Sequence, residues 1–461
     1  MTIYDSNDTI CAISTAPGVG GIAVARISGR DALGVVGRVW LGKDLATVAT
    51  HTAHLGDIRD SSGDVLDTAV ATVFRGPRSF TGEDTVELSV HGSLYIQRRL
   101  IPSLVDAGAR LAEPGEFTRR AFASGRFDLA QAEAVADIIA ADSQAAHRLA
   151  STQMRGAYSE RLNALRDDML QLASLLELEL DFSEEEVEFA SRERLLDLAR
   201  EVSDTVGRLA DSFGRGDAIR RGVSVAIVGQ TNAGKSSLLN RLLRDDRAIV
   251  SDIHGTTRDI IEDSVDIGGV TFRFIDTAGL RQTDDSIENL GIERALRRMA
   301  GARIVIWAID PTAAEPLAAW SDIEPRIGDG QTLVPVINKR DLAATDTLAD
   351  EVRHLTGANP VVISATADAD LDTLEERLVD ITDARDISAS DVIVTNARHY
   401  AALTAARESI SRVIDGLATG LSGDFIAQDL RETIHHLSTI TGTITTTDIL
   451  SSIFSQFCIG K

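Results

Sequence analysis

Cysteine is almost missing: Cys11 and Cys458, near opposite ends of 461 residues, are the only two. That excludes a disulfide framework and fits a reducing compartment, so a cytoplasmic protein is expected. No uninterrupted apolar run is long enough to span a bilayer, and no membrane partner is expected. The opening MTIYDSNDTI lacks a basic stretch followed by an apolar one, so no secretory leader is expected either. Positive charge is also short. Lys and Arg number 46 against 70 Asp and Glu, a net charge of −24. Bulk charge therefore gives no support to nucleic-acid binding, and an RNA partner would need a local basic patch. A dinucleotide fingerprint is absent too: Pro17-Gly-Val-Gly-Gly21 precedes a strand-like run instead of opening a helix.

What is present is ordinary for a globular chain. Hydrophobic residues make up 44% and charged residues 25%, and the length predicts two or three domains. Residues 1–120 read as a small α+β domain, with strands at 22–27, 67–74 and 85–90 and a helix at 94–105. Residues 121–218 turn helical, with apolar residues at three and four spacing through 129–150, 158–180 and 192–213. The charge run Glu184-Glu185-Glu186 reads as a solvated face or helix start. Residues 219–384 alternate strand and helix, with a β-hairpin turning at Gly268-Gly269 and apolar runs of the buried-parallel type at 304–309, 333–337 and 361–363. Residues 385–461 are helical again, most clearly at 397–417 and 425–440. The expected fold class is multidomain α+β and α/β: an N-terminal α+β domain, a discontinuous all-helical domain, and a P-loop domain inserted into it.

The stretch Gly229-Gln-Thr-Asn-Ala-Gly-Lys-Ser236 fits the phosphate-binding loop G-x-x-x-x-G-K-[ST], and it sits between an apolar strand and a leucine-lined helix as the motif requires. Backbone N–H groups of Asn232, Ala233, Gly234, Lys235, Ser236 and Ser237 would face phosphate oxygens, helped by the positive end of the following helix. Lys235 would reach the β- and γ-phosphates and the Ser236 hydroxyl would bind Mg²⁺. Three further segments follow in order. Asp276, Thr277, Ala278 and Gly279 end a strand, where Asp276 can hold a Mg²⁺-bound water and the Gly279 N–H can sense the γ-phosphate. Asn338, Lys339 and Asp341 end another; a carboxylate at Asp341 accepts two hydrogen bonds from guanine and none from adenine, whereas alone it would read as a helix cap. Ser364 and Ala365 end the last strand, where the Ala365 N–H could meet the guanine carbonyl. Together these four motifs predict a GTPase, with GTP as substrate.

Catalysis looks less usual. Leu280 stands where Ras-type enzymes carry a water-orienting Gln, and leucine cannot hydrogen-bond water. Glu288 is a candidate for that role; its other reading is a surface helix residue. No arginine finger is evident, a charge worth about 10³–10⁵ in rate. Asn232 either caps its own loop or offers an oxygen to a monovalent cation beside the phosphates. The segment Ser251, Asp252, Ile253, His254, Gly255, Thr256 and Thr257 could wrap that cation with carbonyls, Thr257 completing the Mg²⁺ shell.

These residues, together with Gly20–Gly29, Phe80-Thr-Gly-Glu-Asp84, Pro114–Phe122, Asp128–Ala134, Gly255–Asp259 and the terminal Phe457-Cys-Ile-Gly-Lys461, resemble the MnmE (TrmE) family of tRNA-modifying GTPases over essentially the whole chain. The resemblance implies a homodimer through the N-terminal domain. That domain would bind a tetrahydrofolate derivative of 5-formyl or methylene type, lined by Arg26, Glu87, Arg126 and Lys461. It also implies K⁺ held by Asn232, Ser251, Ile253 and Thr256, the middle two through backbone carbonyls. Glu288 falls at the water-orienting glutamate and Cys458 at a functional cysteine. The partner would be a flavoprotein, MnmG-like, in a heterotetramer that modifies carbon 5 of the wobble uridine in certain tRNAs. Ser364-Ala-Thr366 departs from the family in lacking a Lys or Arg after Ser-Ala. Arg119, Arg120 and Arg126 could form a basic patch or serve folate and structure. The alternative function is an RNA- or ribosome-assembly GTPase switch, which would be expected to carry a basic RNA-binding module that this acidic tail does not resemble.

Overall fold

The computed structural model describes residues 8–181, 192–244, 262–275, 299–382 and 392–455, with Phe457 and Gly460. The chain divides into two compact units. One gathers Met1–Ile139, Gln153–Asp204 and Ala402–Lys461; the other gathers Ala140–Thr152 and Thr205–Ala401.

The first unit opens with a seven-stranded sheet: β1 (Ile10–Ile13), β2 (Ile22–Ser28), β3 (Trp40–Leu41), β4 (Thr52–Arg59), β5 (Val65–Phe74), β6 (Thr85–His91) and β7 (Arg110–Leu111). The order is β3-β4-β5-β6-β2-β1-β7. Neighbours run antiparallel except β1 and β7. The pleat sends alternate residues inward, so Ala69, Ala71 and Val73 of β5 are buried while Thr68 and Val70 are exposed. Two helices, α1 (Ala32–Val39) and α2 (Leu94–Asp106), cover the sheet with Val35, Val36, Leu100 and Leu104 against Ile27, Val73 and Leu88. Ser93 starts α2 by accepting the Tyr95 N–H on its side chain. Helices α3 (Glu116–Ala123) and α4 (Leu129–Ala140) follow.

The helical pattern read over 129–150 is carried by two helices. The chain breaks after α4 and restarts as α5 (Gln144–Met154), because the Ser143 hydroxyl accepts the Ala146 N–H and so begins a new helix. Long helices α6 (Ala157–Asp181) and α7 (Arg192–Asp211) come next, then α8 (Phe213–Arg221). The run Glu184-Glu185-Glu186 lies outside the described residues.

The second unit carries a six-stranded sheet of β8 (Val223–Gly229), β9 (Glu262–Ile267), β10 (Val270–Ile275), β11 (Ile304–Ile309), β12 (Thr332–Ile337) and β13 (Val361–Val362), ordered β13-β12-β11-β8-β10-β9. All neighbours are parallel except the β9–β10 hairpin at one edge. Gly268 and Gly269 turn that hairpin with φ of +60° and +83°, the pair of positive values a two-residue turn of this hand needs. Every residue of β11 is buried. Ile304 and Ile306 face one core with Val225, Ile227 and Val334; Val305 and Trp307 face the other with Ala226, Val228 and Trp320. Helices therefore cover both faces, as the continuous apolar strands require: α9 (Lys235–Arg244), α10 (Trp320–Ile323), α11 (Asp346–Thr356) and α12 (Asp368–Ile381).

The chain ends in α13 (Ala397–Thr419), α14 (Gly423–Thr441) and α15 (Thr447–Phe454). Within the first unit α14 packs on α6. Leu450, Phe454 and Phe457 share a core with Leu129 and Ala132 of α4. Helical segments far apart in sequence thus form one body, with the parallel-sheet unit inserted between them. Among the described residues, no helix is long and apolar enough to cross a membrane.

Candidate functional site

The parallel strands β8, β11, β12 and β13 bring four loops to the same edge of the sheet, where ligands of open α/β sheets bind. The first loop runs from the end of β8 to the start of α9. Asn232 and Gly234 take φ of +64° and +87°. A side chain at Gly234 would also strike the Asn338 amide, so glycine is required both for backbone and for space. Ala233 is buried, Asn232 and Ser237 are exposed, and Ser236 is half-buried in the first turn of α9. Lys235 Nζ donates to the carbonyls of Gly229 (2.9 Å) and Gln230 (2.6 Å). Its burial holds the ammonium pKa below the usual lysine value.

Asn338 joins the other loops to this one. It is 2% exposed, its Nδ2 donates to the Ala233 carbonyl at 3.1 Å, and its Oδ1 accepts the N–H of Lys339 (2.8 Å) and of Ala365 (2.9 Å). One amide therefore fixes the spacing of the phosphate loop and both base-edge segments. The Ala365 N–H, expected to meet guanine, is here spent on Asn338. Lys339 has φ +58° and pairs with Asp310 Oδ2 at 2.6 Å. Burial raises the Asp310 carboxyl, but hydrogen bonds from Lys339 and Thr312 outweigh it and hold it below the ordinary range. Asp341 stays exposed. The Ser364 side chain hydrogen-bonds it and is the main cause that holds its pKa below the usual aspartate value. It is not a helix cap: α11 begins at Asp346, with Thr345 before it.

Ser251, Asp252, Ile253, His254, Gly255, Thr256, Thr257, Asp276, Thr277, Ala278, Gly279, Glu288, Cys458 and Lys461 lie outside the described residues. Asp310 and Asp370 were missed by sequence reasoning. Asp310 had a usable signal, since it directly follows an apolar parallel strand.

In the first unit, Arg26 and Glu87 are direct partners across β2 and β6, paired at 2.8 Å. The Arg26 guanidinium lies over the rings of Phe80 (4.9 Å) and Phe117 (5.7 Å). Phe80 meets Phe127 edge-on, and the exposed Arg126 is the next residue back along the chain. Ser14 Oγ donates to the Gly460 carbonyl at 2.9 Å, which holds the chain end beside β1. Arg119 and Arg120 do not form an outward basic patch. Their side chains are 11% and 10% exposed and pair with Glu113 and with Asp8, Glu83 and Glu116, respectively. Cys11 is buried, and burial pushes its thiol up to about 11.

A profile of the MnmE helical domain matches residues 129–458, and one described as the N-terminus of the GTP-binding protein TrmE matches residues 9–126. The chain belongs to the MnmE family. A tRNA modification GTPase MnmE of Parabacteroides distasonis is 50% identical to it, covering 98% of this chain and 100% of the relative. MnmE of Cytophaga hutchinsonii is 45% identical over 100% of this chain and 99% of its own. Among solved structures, the chain is similar to the G domain of the T. maritima FeoB iron transporter, with 25% identity, a TM-score of 0.26, 34% of this chain covered and 97% of that one.

Proposed function

We propose that this GTPase of the MnmE family is a K⁺-dependent homodimer of the cytoplasm. With an MnmG-like flavoprotein it forms the 5-carboxymethylaminomethyl or aminomethyl group at the wobble uridine of certain tRNAs. Its parts would be a folate-binding and dimerising domain over 1–120, a helical domain over 121–218 and 385–461, and the GTPase domain over 219–384. The Asn338 junction supports the nucleotide half of this reading: one buried amide spans the phosphate loop and both base-edge segments and leaves the Asp341 carboxylate exposed. An acceptor there meets the two donors on guanine and finds no such pair on adenine.

Among the described residues, Lys235, Ser236 and Asn232 suit the groups this requires. Lys235 is already turned over the phosphate loop, so its ammonium can exchange the carbonyls of Gly229 and Gln230 for β- and γ-phosphate oxygens. Ser236, with Thr257, would hold Mg²⁺. The exposed amide of Asn232, with Ser251, Ile253 and Thr256, would hold K⁺. Bound there, the two cations would supply positive charge to offset the negative charge of the transition state as the bond between the β- and γ-phosphates breaks. Glu288 would orient the attacking water. The Arg26–Glu87 pair set against aromatic rings suits a flat heterocycle with a polar edge, and Arg126 and Lys461 would complete a site for the tetrahydrofolate. Cys458 would serve the tRNA chemistry.

Mass spectrometry of wobble uridines in tRNA from cells lacking this protein tests the reading. The modified base should disappear and return with the wild-type chain; undiminished modification in its absence would refute the proposed role. For the cation, hydrolysis should be slower in Na⁺ than in K⁺, and equal rates would remove K⁺ from the mechanism.

A further inference from the structure

Asp370 is a buried carboxylate that none of the four nucleotide motifs contains. It lies in the first turn of α12, its side chain 5% exposed. Both of its oxygens are directed at base-edge segments. Oδ2 accepts the Ser364 N–H at 2.7 Å, and Oδ1 meets the Arg340 guanidinium at 2.5 Å. Arg340 is the residue before Asp341, and Ser364 the residue before Ala365. Ser364 also hydrogen-bonds Asp341 through its side chain, and the Arg340 N–H donates to the Ile363 carbonyl at 3.2 Å. The two segments are thus bridged by the two bonds of one carboxylate and tied twice directly.

Stability alone gives little reason for this arrangement. A buried carboxylate costs desolvation, and well-packed apolar residues often do as well or better than a buried pair. The partner guanidinium is 51% exposed, which weakens the attraction further. What a carboxylate provides here and an apolar residue cannot is geometry: two directed acceptors that set the register of two loops.

We propose that Asp370 is a positioning residue for guanine recognition, holding Arg340 and Ser364 so that the Asp341 carboxylate faces the base at the right spacing. The inference rests on the guanine-nucleotide reading above. It is distinct from the contacts of Asp341 itself, because Asp370 acts only through its neighbours.

The test is steady-state hydrolysis of GTP, ITP and ATP by the full-length protein, as wild type, Asp370→Ala and Asp370→Asn. Inosine lacks the exocyclic amine, so the GTP-over-ITP ratio in kcat/KM reports how well the Asp341 carboxylate is aimed. KM for GTP should rise about tenfold in the variants, the scale of one charge-assisted hydrogen bond, with kcat within about twofold. The GTP-over-ITP ratio should fall. The Asn variant keeps volume and one acceptor, so it remains informative should the Ala variant fold poorly. An unchanged KM for GTP would overturn the inference, as would an equal rise for both nucleotides accompanied by a lowered Tm, the mark of a purely structural role. A wild-type protein with no preference for GTP over ATP would instead overturn the guanine reading, and this inference with it.

Discussion

Glu116 shows how a single residue can carry a local fold. Its side chain has no exposed surface, yet it accepts from Arg110 at 2.6 and 3.1 Å, from Arg120 at 3.1 Å and from the Glu113 N–H at 2.8 Å. Burial pushes its carboxyl up, but these bonds, led by Arg110, win and hold it below the ordinary glutamate value of 4.5. A depressed folded pKa contributes stability that is full above the unfolded value and lost as pH falls through the folded one. The contribution of Glu116 to the first unit should therefore be complete above about pH 4.5 and be lost as pH falls below it. Glu116→Gln leaves the buried Arg120 and the partly exposed Arg110 short of a counter-charge and should cost about 2 kcal/mol in urea unfolding, with a flatter acid limb. An unchanged midpoint would show that the network is dispensable. None of this was legible in the sequence. Arg119 and Arg120 stood out only as basic residues; two of the partners of Arg120, Asp8 and Glu83, lie far away along the chain. The Arg26–Glu87 pairing was equally hidden, since it arises from strand register, although family resemblance named both residues.

Elements were read well where local chemistry decides them. The strand, glycine loop and helix around Lys235 follow from an apolar run, a glycine pair and leucine spacing, and the Gly268-Gly269 hairpin from its turn. Elements without a clear apolar pattern escaped. β4 buries only Ile58 fully and contains Gly56, so it shows no apolar alternation. The break before α5 depends on one Ser143 hydroxyl, which a hydrophobic pattern does not register. The phosphate loop itself gives a clear prediction. Gly234→Ala adds a Cβ at φ +87° and pushes it into the Asn338 amide. Nucleotide affinity should fall at least about tenfold, while far-UV circular dichroism stays unchanged. Normal affinity in that variant would mean the loop adapts and the Asn338 junction is not essential.

At the scale of the whole molecule, insertion was legible because helical runs flank a complete α/β pattern. The clustering of residues 140–152 with the parallel-sheet unit was not. An amphipathic helix announces that it buries a face; it does not announce against what. Within that unit the Ala145 N–H donates to the Gly269 carbonyl at 3.1 Å and Thr271 Oγ1 to Asp142 at 2.7 Å, so the β9–β10 hairpin holds this segment. The guanine-reading unit, inserted in sequence between helical segments, is proposed to govern a modification made on tRNA. The most direct measurement is the nucleotide dependence of wobble-uridine modification reconstituted from the proposed flavoprotein partner and this chain carrying Asp341→Asn. An amide in place of the carboxylate suits xanthine, whose 2-position bears an oxygen where guanine bears an amine. XTP should then support modification and GTP should not. Modification that still follows GTP, or that proceeds without any nucleotide, would contradict the account.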